Sequence, residues 1–508
     1  MNTSLVAIVV AVTTAGGLFS FARWVRVAQR EHYLPGSTLR FAARWWTAHP
    51  LSILMGVAAV VGFVLSIWFP LGACITGLAL IFGPFGLTVR GRSAPLVWTR
   101  RLKTVVAVAG SLLVAGAALL STTIGSIAPL ALSVLTIPAW IDLSLWMLRP
   151  VEKRIAQRYV NQASERLQAV RPVVVAITGS YGKTTTKEYV RHLVSGMRTV
   201  VASPASYNNT AGLSRTINEH LTMGTDVLVA EVGTYGKGEI REICRWLRPT
   251  IGVITAIGPV HLERMGSLEG IAHAKSEILE TVDLAILNTD FSHLRQIADK
   301  IGADKSVIEC GSSKEHNYVA AIPSEQSIGL YISGKHVTTL SNPGIFPGNL
   351  ASAVAVALTL DIPLEHIIGQ ISSLPSPAHR QQLVTTPAGV TVIDDTFSSN
   401  PAGAANALKL LSETSHRGRR VVVSPGMIEL GDQQDQENEQ FARKAAGSAT
   451  DILIVGRTNL GSLLRGARSG KAKVWTVRHR DEAVRWVREN LTEGDVVLYE
   501  NDLPDHFP

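Results

Sequence analysis

Five long apolar stretches occupy the first 150 residues of this 508-residue chain, at positions 4–21, 51–69, 71–89, 104–121 and 124–148. Each reaches or approaches the roughly 20 residues that a helix needs to cross a bilayer. We therefore expect residues 1–150 to form an α-helical membrane domain of about five helices. The first stretch lacks a basic start and a small-residue cleavage site, which argues against a cleaved signal peptide.

The basic residues predict an orientation for these helices. Residues 1–150 contain 11 Lys and Arg but only 2 Asp and Glu, and these basic residues follow the first, third and fifth stretches. The connections after the second and fourth stretches carry no charge. Because basic loops stay on the cytoplasmic side, the pattern predicts a multi-pass protein of the cell membrane. Its N-terminus would lie outside, and everything after residue 148 would lie in the cytoplasm.

Two further features of this region have more than one interpretation. Asp142 lies inside the fifth stretch, where a carboxylate is either functional or a helix cap. The segment 23–46 mixes Arg with Trp and Tyr, which suits either an anionic lipid head group or plain interfacial anchoring. Residues 151–171 place apolar side chains at four-residue steps and predict an amphipathic connector helix that ends before Pro172.

The composition excludes several classes of protein. Only 17% of the residues are charged and 46% are hydrophobic, which excludes intrinsic disorder. The cysteines Cys74, Cys244 and Cys310 lie too far apart for a zinc ribbon or a disulfide framework. Beyond residue 150 there are 37 Lys and Arg against 38 Asp and Glu, so no basic excess indicates a nucleic-acid enzyme.

A glycine loop opens the remaining part of the chain. Val173–Thr178 is an apolar, mostly β-branched segment typical of a buried parallel strand. It runs directly into GSYGKTT, and residues 186–197 have helical character. The order strand, glycine loop, lysine, hydroxyl and helix is that of a P-loop, although the motif is two residues shorter than the standard form. Lys183 would reach the phosphates of a nucleotide, and the Thr184 hydroxyl would bind Mg²⁺.

Two more apolar segments, 226–232 and 251–257, end near Glu231 and His261. In open α/β sheets, ligands bind at the carboxyl ends of the strands. A carboxylate at that edge is a plausible Mg²⁺ ligand, whereas an imidazole is a less usual one. Taken alone, Glu231 could instead cap a helix and His261 could stabilise a turn.

Seven motifs between residues 177 and 432 resemble those of the Mur ligase family, and the resemblance as a whole covers about residues 172–498. They read ITGSYGKTTTKE, SYNNTAGL, EVGTYGKGEI, GPVHLERMGSLEGIAHAKSEI, HRQQL, VIDDTFSSNPAG and GMIELGD. The sequence is most similar to the branch that adds D-alanyl-D-alanine to UDP-N-acetylmuramoyl-tripeptide. The resemblance implies a P-loop central domain with a mostly parallel sheet at 172–341. It also implies a Rossmann-like C-terminal α/β domain at 342–508.

The resemblance also implies a chemistry. ATP and Mg²⁺ would activate a carboxylate as an acyl phosphate, and an amine would then form the amide. The implied residues that bind ATP are Gly179, Gly182, Lys183, Thr184, Thr185, Asn349, Arg380 and Asp395. The implied ligands of a first Mg²⁺ are Thr184 and Glu231, and those of a second Mg²⁺ are His261 and, as a carbamate, Lys275. The implied catalytic residues are Lys183, Lys275, His261 and Arg380. The implied substrate contacts are Asn208, Asn209 and Asn400.

The sequence departs from the family at several points. Apolar stretches replace the usual UDP-binding domain, and Asn438 stands where a histidine follows ELGD. Pro347-Gly348-Asn349 lacks the histidine of the corresponding family segment, and DDTFSSNP replaces DDSYNANP. The tail LYENDLPDHFP replaces a KGS segment, and its Glu500, Asp502, Asp505 and His506 are either amine-binding or a solvated acidic tail. These changes leave the ATP chemistry intact and put the usual substrate in doubt.

We therefore expect a membrane-anchored amide ligase for a cell-wall or peptidoglycan precursor. Its acceptor would be a lipid-linked or envelope glycan in the bilayer, its amine an amino acid or short peptide, and no nucleic acid would take part. One alternative is an amino-acid polymerising ligase like the poly-γ-glutamate synthetases. Another is a non-catalytic ATP-binding membrane scaffold. A transporter is less consistent with the sequence, because the LSGGQ signature of ABC transporters is absent.

Overall fold

The computed structural model describes residues 3–90, 96–123, 126–204, 207–234, 236–260, 262–301, 305–324, 327–341, 345–375, 379–397, 399–414, 417–504 and 506–507. By its contacts the chain divides into two units. The first comprises Met1–Arg154, Gly456–Thr458 and Leu503–Pro508, and the second comprises Ile155–Val455 and Asn459–Asp502.

The described part of the first unit is helical. Its helices are α1 (Thr3–Arg30), α2 (Ser37–Thr47), α3 (Pro50–Ser66), α4 (Leu71–Phe82), α5 (Arg100–Thr123), α6 (Ala128–Leu135) and the start of α7 (Ile137–Val170). The predicted connector is not a separate helix, because α7 continues from the last apolar stretch to Val170, just before Pro172.

The described residues contain fewer helices of membrane-spanning length than the about five that the sequence predicts. Two helices, α1 and α5, are long and apolar enough to cross a membrane, and up to four spans result if α2 with α3 and α6 with α7 each count as one. Those pairs are bent by 112° and 64°. Helix α4 has only 12 residues, about 18 Å at 1.5 Å per residue, whereas a hydrocarbon core is about 30 Å thick.

Helix α4 packs very closely against α1. A Cβ atom at Gly77 would lie 2.7 Å from the carbonyl oxygen of Val12, and one at Gly16 would meet the backbone of Gly77. The Thr13 hydroxyl also donates a hydrogen bond to the carbonyl oxygen of Ala73 at 3.0 Å. Small residues and hydroxyls at such a crossing are typical of helix pairs in membranes.

Two buried charged residues of the first unit stabilise helix ends. The Arg23 guanidinium donates to the carbonyl oxygens of Leu80 and Gly83, both at 2.8 Å, where α4 ends. Arg23 therefore lies in α1 and not in the loop that the charge pattern suggested. Asp142 accepts hydrogen bonds from the backbone N–H groups of Thr38 and Leu39 at the start of α2, which supports the cap interpretation of this carboxylate.

The second unit begins with a nine-stranded sheet. Its strands are β1 (Val173–Thr178), β2 (Val200–Ala202), β3 (Val227–Glu231), β4 (Ile251–Ile254), β5 (Leu284–Asn288), β6 (Ser306–Gly311), β7 (Val319–Pro323), β8 (Ser327–Ile332) and β9 (Lys335–Ser341). The order is β2-β3-β1-β4-β5-β6-β7-β8-β9, and the described pairs are parallel except for β7 with β8 and β8 with β9. A mostly parallel sheet was predicted for this region and is confirmed.

Helices cover both faces of this sheet. They are α8 (Lys183–Val194), α9 (Thr210–His220), α10 (Glu239–Leu247), α11 (Leu262–Met265), α12 (Leu268–Ser276), α13 (Ser292–Ile301), α14 (Pro347–Thr359) and α15 (Leu364–Ile371). In β1 the side chains alternate: Val174 and Ala176 join one core with α9 and α10, and Val175 and Ile177 join the other with α8 and α14. A strand buried on both faces explains its continuous apolar sequence.

The position of α14 and α15 differs from the predicted domain division. The sequence analysis assigned everything after residue 341 to the C-terminal domain. In the structure, Leu350, Val354 and Ile367 lie in a core with β1, β5 and α8 of the nine-stranded sheet. Both helices therefore belong to the first α/β domain, because their apolar faces are buried there.

A six-stranded sheet forms the second α/β domain. Its strands are β10 (Gln382–Thr385), β11 (Thr391–Asp395), β12 (Arg420–Ser424), β13 (Asp451–Val455), β14 (Lys473–Val477) and β15 (Val496–Glu500), in the order β10-β11-β15-β12-β13-β14. Only β10 is antiparallel among them. Its helices are α16 (Pro401–Glu413), α17 (Gln434–Ser448), α18 (Leu460–Ala467) and α19 (Arg480–Asn490). This agrees with the Rossmann-like α/β prediction.

Strand order positions the candidate site. Because β1 lies between β3 and β4, the loop after β1 emerges between the ends of those two strands, and Ile177 pairs with Glu231 in register. This is the carboxyl edge where open α/β sheets bind ligands.

Candidate active site

The glycine loop leads from β1 into α8, which begins at Lys183, three residues earlier than predicted. Gly182 occupies the N-cap position with φ 81°, a left-handed conformation that favours glycine. A Cβ atom there would also collide with the Asn349 side chain. The loop therefore brings a helix N-terminus and its backbone N–H groups to the site, as phosphate binding requires.

Lys183 is folded over this loop. Its Nζ donates to the carbonyl oxygens of Gly179 at 2.7 Å and Ser180 at 3.4 Å. Burial lowers the pKa of Lys183, Arg380 lowers it further, and Glu231 opposes both effects. The ammonium group thus lies among backbone carbonyls at the point where a phosphate would be expected.

Glu231 is the buried carboxylate of the site, at the end of β3. It accepts hydrogen bonds from Thr184 Oγ1 at 2.8 Å and from Asn208 Nδ2 at 3.2 Å. Lys187 Nζ, which the sequence analysis did not single out, lies 3.8 Å from it and donates to the carbonyl oxygen of Ser203 at 2.7 Å. Three predicted residues, Thr184, Asn208 and Glu231, are therefore brought together.

Lys275 lies buried in α12 beside the same loop. Burial lowers its pKa well below the ordinary value, with a further contribution from Lys183 and opposition from nearby glutamates. A lowered pKa favours the unprotonated amine, which is the form that reacts with CO₂ to give a carbamate. Lys275 lines a pocket of about 410 Å³ with Ser180, Lys183 and Asn208.

The second predicted metal site is only partly described. His261 lies outside the described residues, so its predicted role stays a prediction. Within the described part of the chain, no group of three or more His, Cys, Asp or Glu side chains converges. The donors present at the first site are one carboxylate and one hydroxyl, and Mg²⁺ commonly uses one or two protein carboxylates together with substrate phosphates and water.

A larger pocket of about 860 Å³ adjoins the other side of the loop. Three aromatic residues, Tyr181, Phe291 and Phe346, contribute to its lining. The predicted nucleotide-binding residues in its lining are Gly182, Thr185, Asn349, Arg380 and Asp395. Asn400, a predicted substrate contact, also lines it. Aromatic rings, amides and a carboxylate together suit a purine nucleoside.

Arg380 connects this pocket to the loop. One terminal nitrogen of its guanidinium lies 3.5 Å from Thr184 Oγ1, and the guanidinium carbon lies 4.6 Å from the centre of the Phe397 ring. Burial lowers the pKa of Arg380, and Glu231 and Asp395 oppose this. Burial raises the pKa of the Asp395 carboxyl to about 6, and the hydrogen bond from the Gln381 amide acts in the opposite direction.

Two predicted substrate residues have structural roles. The Asn209 side chain accepts from the N–H of Gly212 at 2.9 Å and caps α9, and Asn209 lines neither pocket described here. Asn400 caps α16 in the same manner through the N–H of Gly403, although it also lines the larger pocket.

The described acidic residues of the tail lie in separate environments. Glu500 is buried against serine hydroxyls, and Asp502 pairs with Arg480 at 2.6 Å. His506 Nε2 lies 2.9 Å from Glu31 Oε1 within the first unit, and Asp505 lies outside the described residues.

The sequence analysis also missed polar residues at the end of β5. Asn288 donates to the carbonyl oxygen of Thr255 at 2.9 Å, and both Asn288 and Asp290 line the larger pocket. They follow the apolar segment LAIL, so the reasoning that found Glu231 at a strand end would have found them too. Phe346 carries no comparable signal, because only the packing of α14 brings it to this edge.

Comparison with known proteins identifies both α/β domains. Residues 177–357 match the Mur ligase middle domain, and residues 379–499 match the Mur ligase glutamate ligase domain. The UDP-N-acetylmuramoyl-tripeptide–D-alanyl-D-alanine ligase of Bacillus subtilis is 26% identical over 362 residues, which cover 68% of this chain and 75% of the relative. The ligase of the same name from Buchnera aphidicola is 30% identical over 334 residues, covering 64% and 71%.

The solved structures show the same fold. The MurF ligase of Thermotoga maritima in complex with ADP superposes with a TM-score of 0.58 at 22% identity, over 68% of this chain and 80% of that one. Both α/β domains are thus accounted for by one family, and the chain belongs to the Mur ligases, as an ATP-dependent ligase that forms amide bonds.

Proposed function

We propose that this protein is a membrane-anchored Mur-type ligase that adds an amino acid or short peptide to a carboxylate of a cell-envelope precursor held at the membrane. The observation that carries the proposal is the presence, in one chain, of an ATP-ligase core and a helical unit with exposed apolar surface. The family match begins only at residue 177, so the helices α1 to α7 lie outside it.

The ligase chemistry proceeds through two displacements. A carboxylate oxygen of the acceptor attacks the γ-phosphorus of ATP, and the bond to ADP breaks to leave an acyl phosphate. The amine nitrogen then attacks the acyl carbon, inorganic phosphate leaves, and the nitrogen loses a proton as the amide forms. Lys183 and Arg380 are the cations that would contact the phosphoryl oxygens during both steps.

The residues present fit a magnesium ion at Glu231. Its carboxylate and the Thr184 hydroxyl, 2.8 Å apart, would hold the ion beside the phosphates. Bound there, Mg²⁺ would neutralise charge on the phosphate oxygens. Lys275 would take part as its carbamate, together with His261. Asn208, hydrogen-bonded to Glu231, would face the acceptor side of the site.

The larger pocket would hold the nucleoside. Asp395 would bind the ribose hydroxyls, and Asn349, beside Gly182, would lie near the adenine. The rings of Tyr181 and Phe291 would give the base an apolar surface. Such a site is shared between both α/β domains, so both would have to be correctly placed for turnover.

The membrane part of the proposal depends on exposed apolar side chains. On α3 alone, Leu54, Val57 and Val60 are 64%, 55% and 50% exposed. A soluble surface rarely carries such a contiguous apolar patch. A lipid bilayer would cover it, and an acceptor such as a polyprenyl-linked sugar or envelope polymer with a carboxylate would reach the enzyme in the same membrane.

The test is ADP formation by the purified full-length protein in detergent with Mg²⁺-ATP. One arm receives a lipid extract of the source membranes with an amino-acid pool. A parallel arm receives soluble UDP-muramoyl tripeptide with D-alanyl-D-alanine, the substrates in the relatives' names. Lys183→Ala serves as the blank.

Turnover that requires lipid and amine together supports the proposal, and mass spectrometry of the lipid identifies the product. Turnover with the soluble precursor alone contradicts a membrane-held acceptor and indicates a conventional wall ligase with an additional helical unit. A product that carries a long run of one amino acid would instead support a polymerising ligase.

A further inference from the structure

Glu500 is a buried carboxyl group that the proposed chemistry does not use. It is the last residue of β15, it is 0% exposed, and it pairs in register with Asp395 of β11. The charged neighbour that affects it is Asp395, and burial together with that neighbour raises its pKa to about 8. A buried acid without a cationic partner is costly unless its oxygen atoms are hydrogen-bonded.

Both carboxyl oxygens of Glu500 are hydrogen-bonded to loops. Oε1 accepts from the Ser399 hydroxyl, and Oε2 accepts from the Ser424 hydroxyl at 3.0 Å. Ser424 Oγ in turn accepts from the N–H of Gly426 at 3.0 Å. Because Ser399 follows β11 and Ser424 ends β12, one side chain connects two separate loops.

The next residue strengthens the same connection. The backbone N–H of Asn501 donates to the carbonyl oxygen of Asp395 at 3.0 Å. Its side-chain Nδ2 donates to the carbonyl oxygen of Gly426 at 2.7 Å. The end of β15 therefore holds the start of the loop after β11 and the loop after β12 at the carboxyl edge of the second sheet.

The loop after β11 belongs to the nucleotide pocket. It begins at Asp395 and ends at Asn400, and both line the larger pocket with Arg380. Asn400 also caps α16, so a displacement of Ser399 would disturb the cap next to it. We propose that Glu500 is a positioning residue that holds this loop in the geometry needed to bind the nucleoside of ATP. The inference rests on the proposed function only in that it requires nucleotide binding.

The chemistry of the Glu500 carboxyl suggests variants that distinguish a role through hydrogen bonds from a role through charge. A glutamine at position 500 has the same shape, accepts from Ser424 and donates to Ser399, so it preserves both connections. An alanine removes both, so the buried Ser424 hydroxyl and the partly buried Ser399 hydroxyl lose this acceptor. A positioning role through hydrogen bonds therefore predicts that Glu500→Gln behaves as the wild type and that Glu500→Ala does not.

The experiment measures Mg²⁺-ATP binding by calorimetry, together with amide hydrogen exchange of residues 396–403. For Glu500→Ala we expect at least about ten-fold weaker binding, as for a lost buried hydrogen-bond partner, and faster exchange in this loop. Glu500→Gln should stay within about two-fold of the wild type. Asp502→Asn is the matched control, because that carboxylate pairs with Arg480 of α19 and not with either loop.

Equal binding by Glu500→Ala and the wild type would overturn the inference, as would a Glu500→Gln protein as weak as the alanine variant. If Glu500→Ala does not fold, Ser399→Ala removes the same connection from the loop side and must weaken ATP binding in the same direction. A wild-type protein that binds no ATP would contradict the proposed function and not this inference alone.

Discussion

At the scale of single residues, the site depends on a few charged groups in little water. Glu231 is 1% exposed and is surrounded by the Thr184 hydroxyl, the Asn208 amide and the Lys187 ammonium. A buried carboxylate persists only with such partners. A substitution that removes the charge of Glu231 and keeps its shape therefore tests the role of this residue.

Glu231→Gln should reduce ADP formation by about 10²–10³-fold, the usual effect of removing one electrostatic contributor to a phosphoryl-transfer site. The amide keeps the bond to Thr184 but no longer attracts a divalent cation. The measurement is turnover across a Mg²⁺ titration, with Glu219→Gln as control, because Glu219 is exposed and pairs with Arg215 of its own helix. Full activity in Glu231→Gln would remove this residue from the metal site.

Phe397→Leu should raise the KM for ATP by about two- to five-fold, which corresponds to the loss of a partly exposed cation–π contact. The Arg380 guanidinium lies over this ring and would lose its support on that side. Phe397→Tyr retains the ring and should leave the KM unchanged. Steady-state kinetics of both variants provide the check, and equal KM values would indicate that the ring does not position Arg380.

The pKa values of the buried acids predict how stability depends on pH. Burial raises the pKa of Glu500 to about 8 and that of Asp395 to about 6, so the native protein retains protons that the unfolded chain has lost. The free energy of unfolding should therefore fall as the pH rises from about 4.5 towards 8. Denaturant unfolding at several pH values measures this slope, and Glu500→Gln should flatten it. An unchanged slope in that variant would argue against a protonated Glu500.

At the scale of elements, the crossing of α1 and α4 explains why α4 is short. Its C-terminal carbonyl groups are satisfied by Arg23, so the helix ends inside the unit without exposing unpaired backbone. Glycine and threonine allow the two backbones to approach closely.

Gly77→Leu should destabilise the first unit by about 1–3 kcal/mol or more, because overpacking here meets backbone atoms that have no room to move. Gly110→Leu in α5 is the matched control, since no atom lies within 4 Å of the added Cβ. Thermal unfolding in detergent compares the two. Similar unfolding temperatures would contradict the close α1–α4 crossing.

At the scale of the whole molecule, the end of the chain belongs to the first unit and not to the domain that precedes it. The indole Nε1–H of Trp45 donates to the carbonyl oxygen of His506 at 2.8 Å. The Phe507 ring meets the Phe41 ring edge-on at 5.0 Å. The tail therefore completes an apolar core of the helical unit.

Phe507→Ala should lower the stability of the first unit by about 1–2 kcal/mol, because this side chain is partly buried and full burial of such a side chain contributes about 1.5–3 kcal/mol. Phe82→Ala, at a residue 63% exposed in the same unit, is the control. Tryptophan fluorescence during thermal unfolding in detergent reports on Trp45 beside the tail. Loss of stability in both variants alike would show that the tail has no particular role.

The elements that follow from local chemistry could be predicted from the amino-acid sequence. The strand Val173–Thr178 was predicted with its observed bounds, and the apolar segments ending near Glu231 and residue 257 became β3 and β4. Glycines at fixed spacing before a lysine predict a phosphate loop, because glycine readily adopts the left-handed backbone conformation found there. The apolar composition of residues 1–150 likewise determined a helical unit, although not the number of spans.

Contacts between side chains that lie far apart along the chain could not be predicted in this way, because they depend on the folded structure. Arg380 lies 196 positions from Thr184 along the chain, and nothing local to either residue encodes that contact. The same holds for Arg23, which caps α4, and for α14, which packs on the first sheet. Apolar periodicity predicts that one face of a helix or strand is buried, whereas the surface against which that face packs depends on the packing of the whole chain.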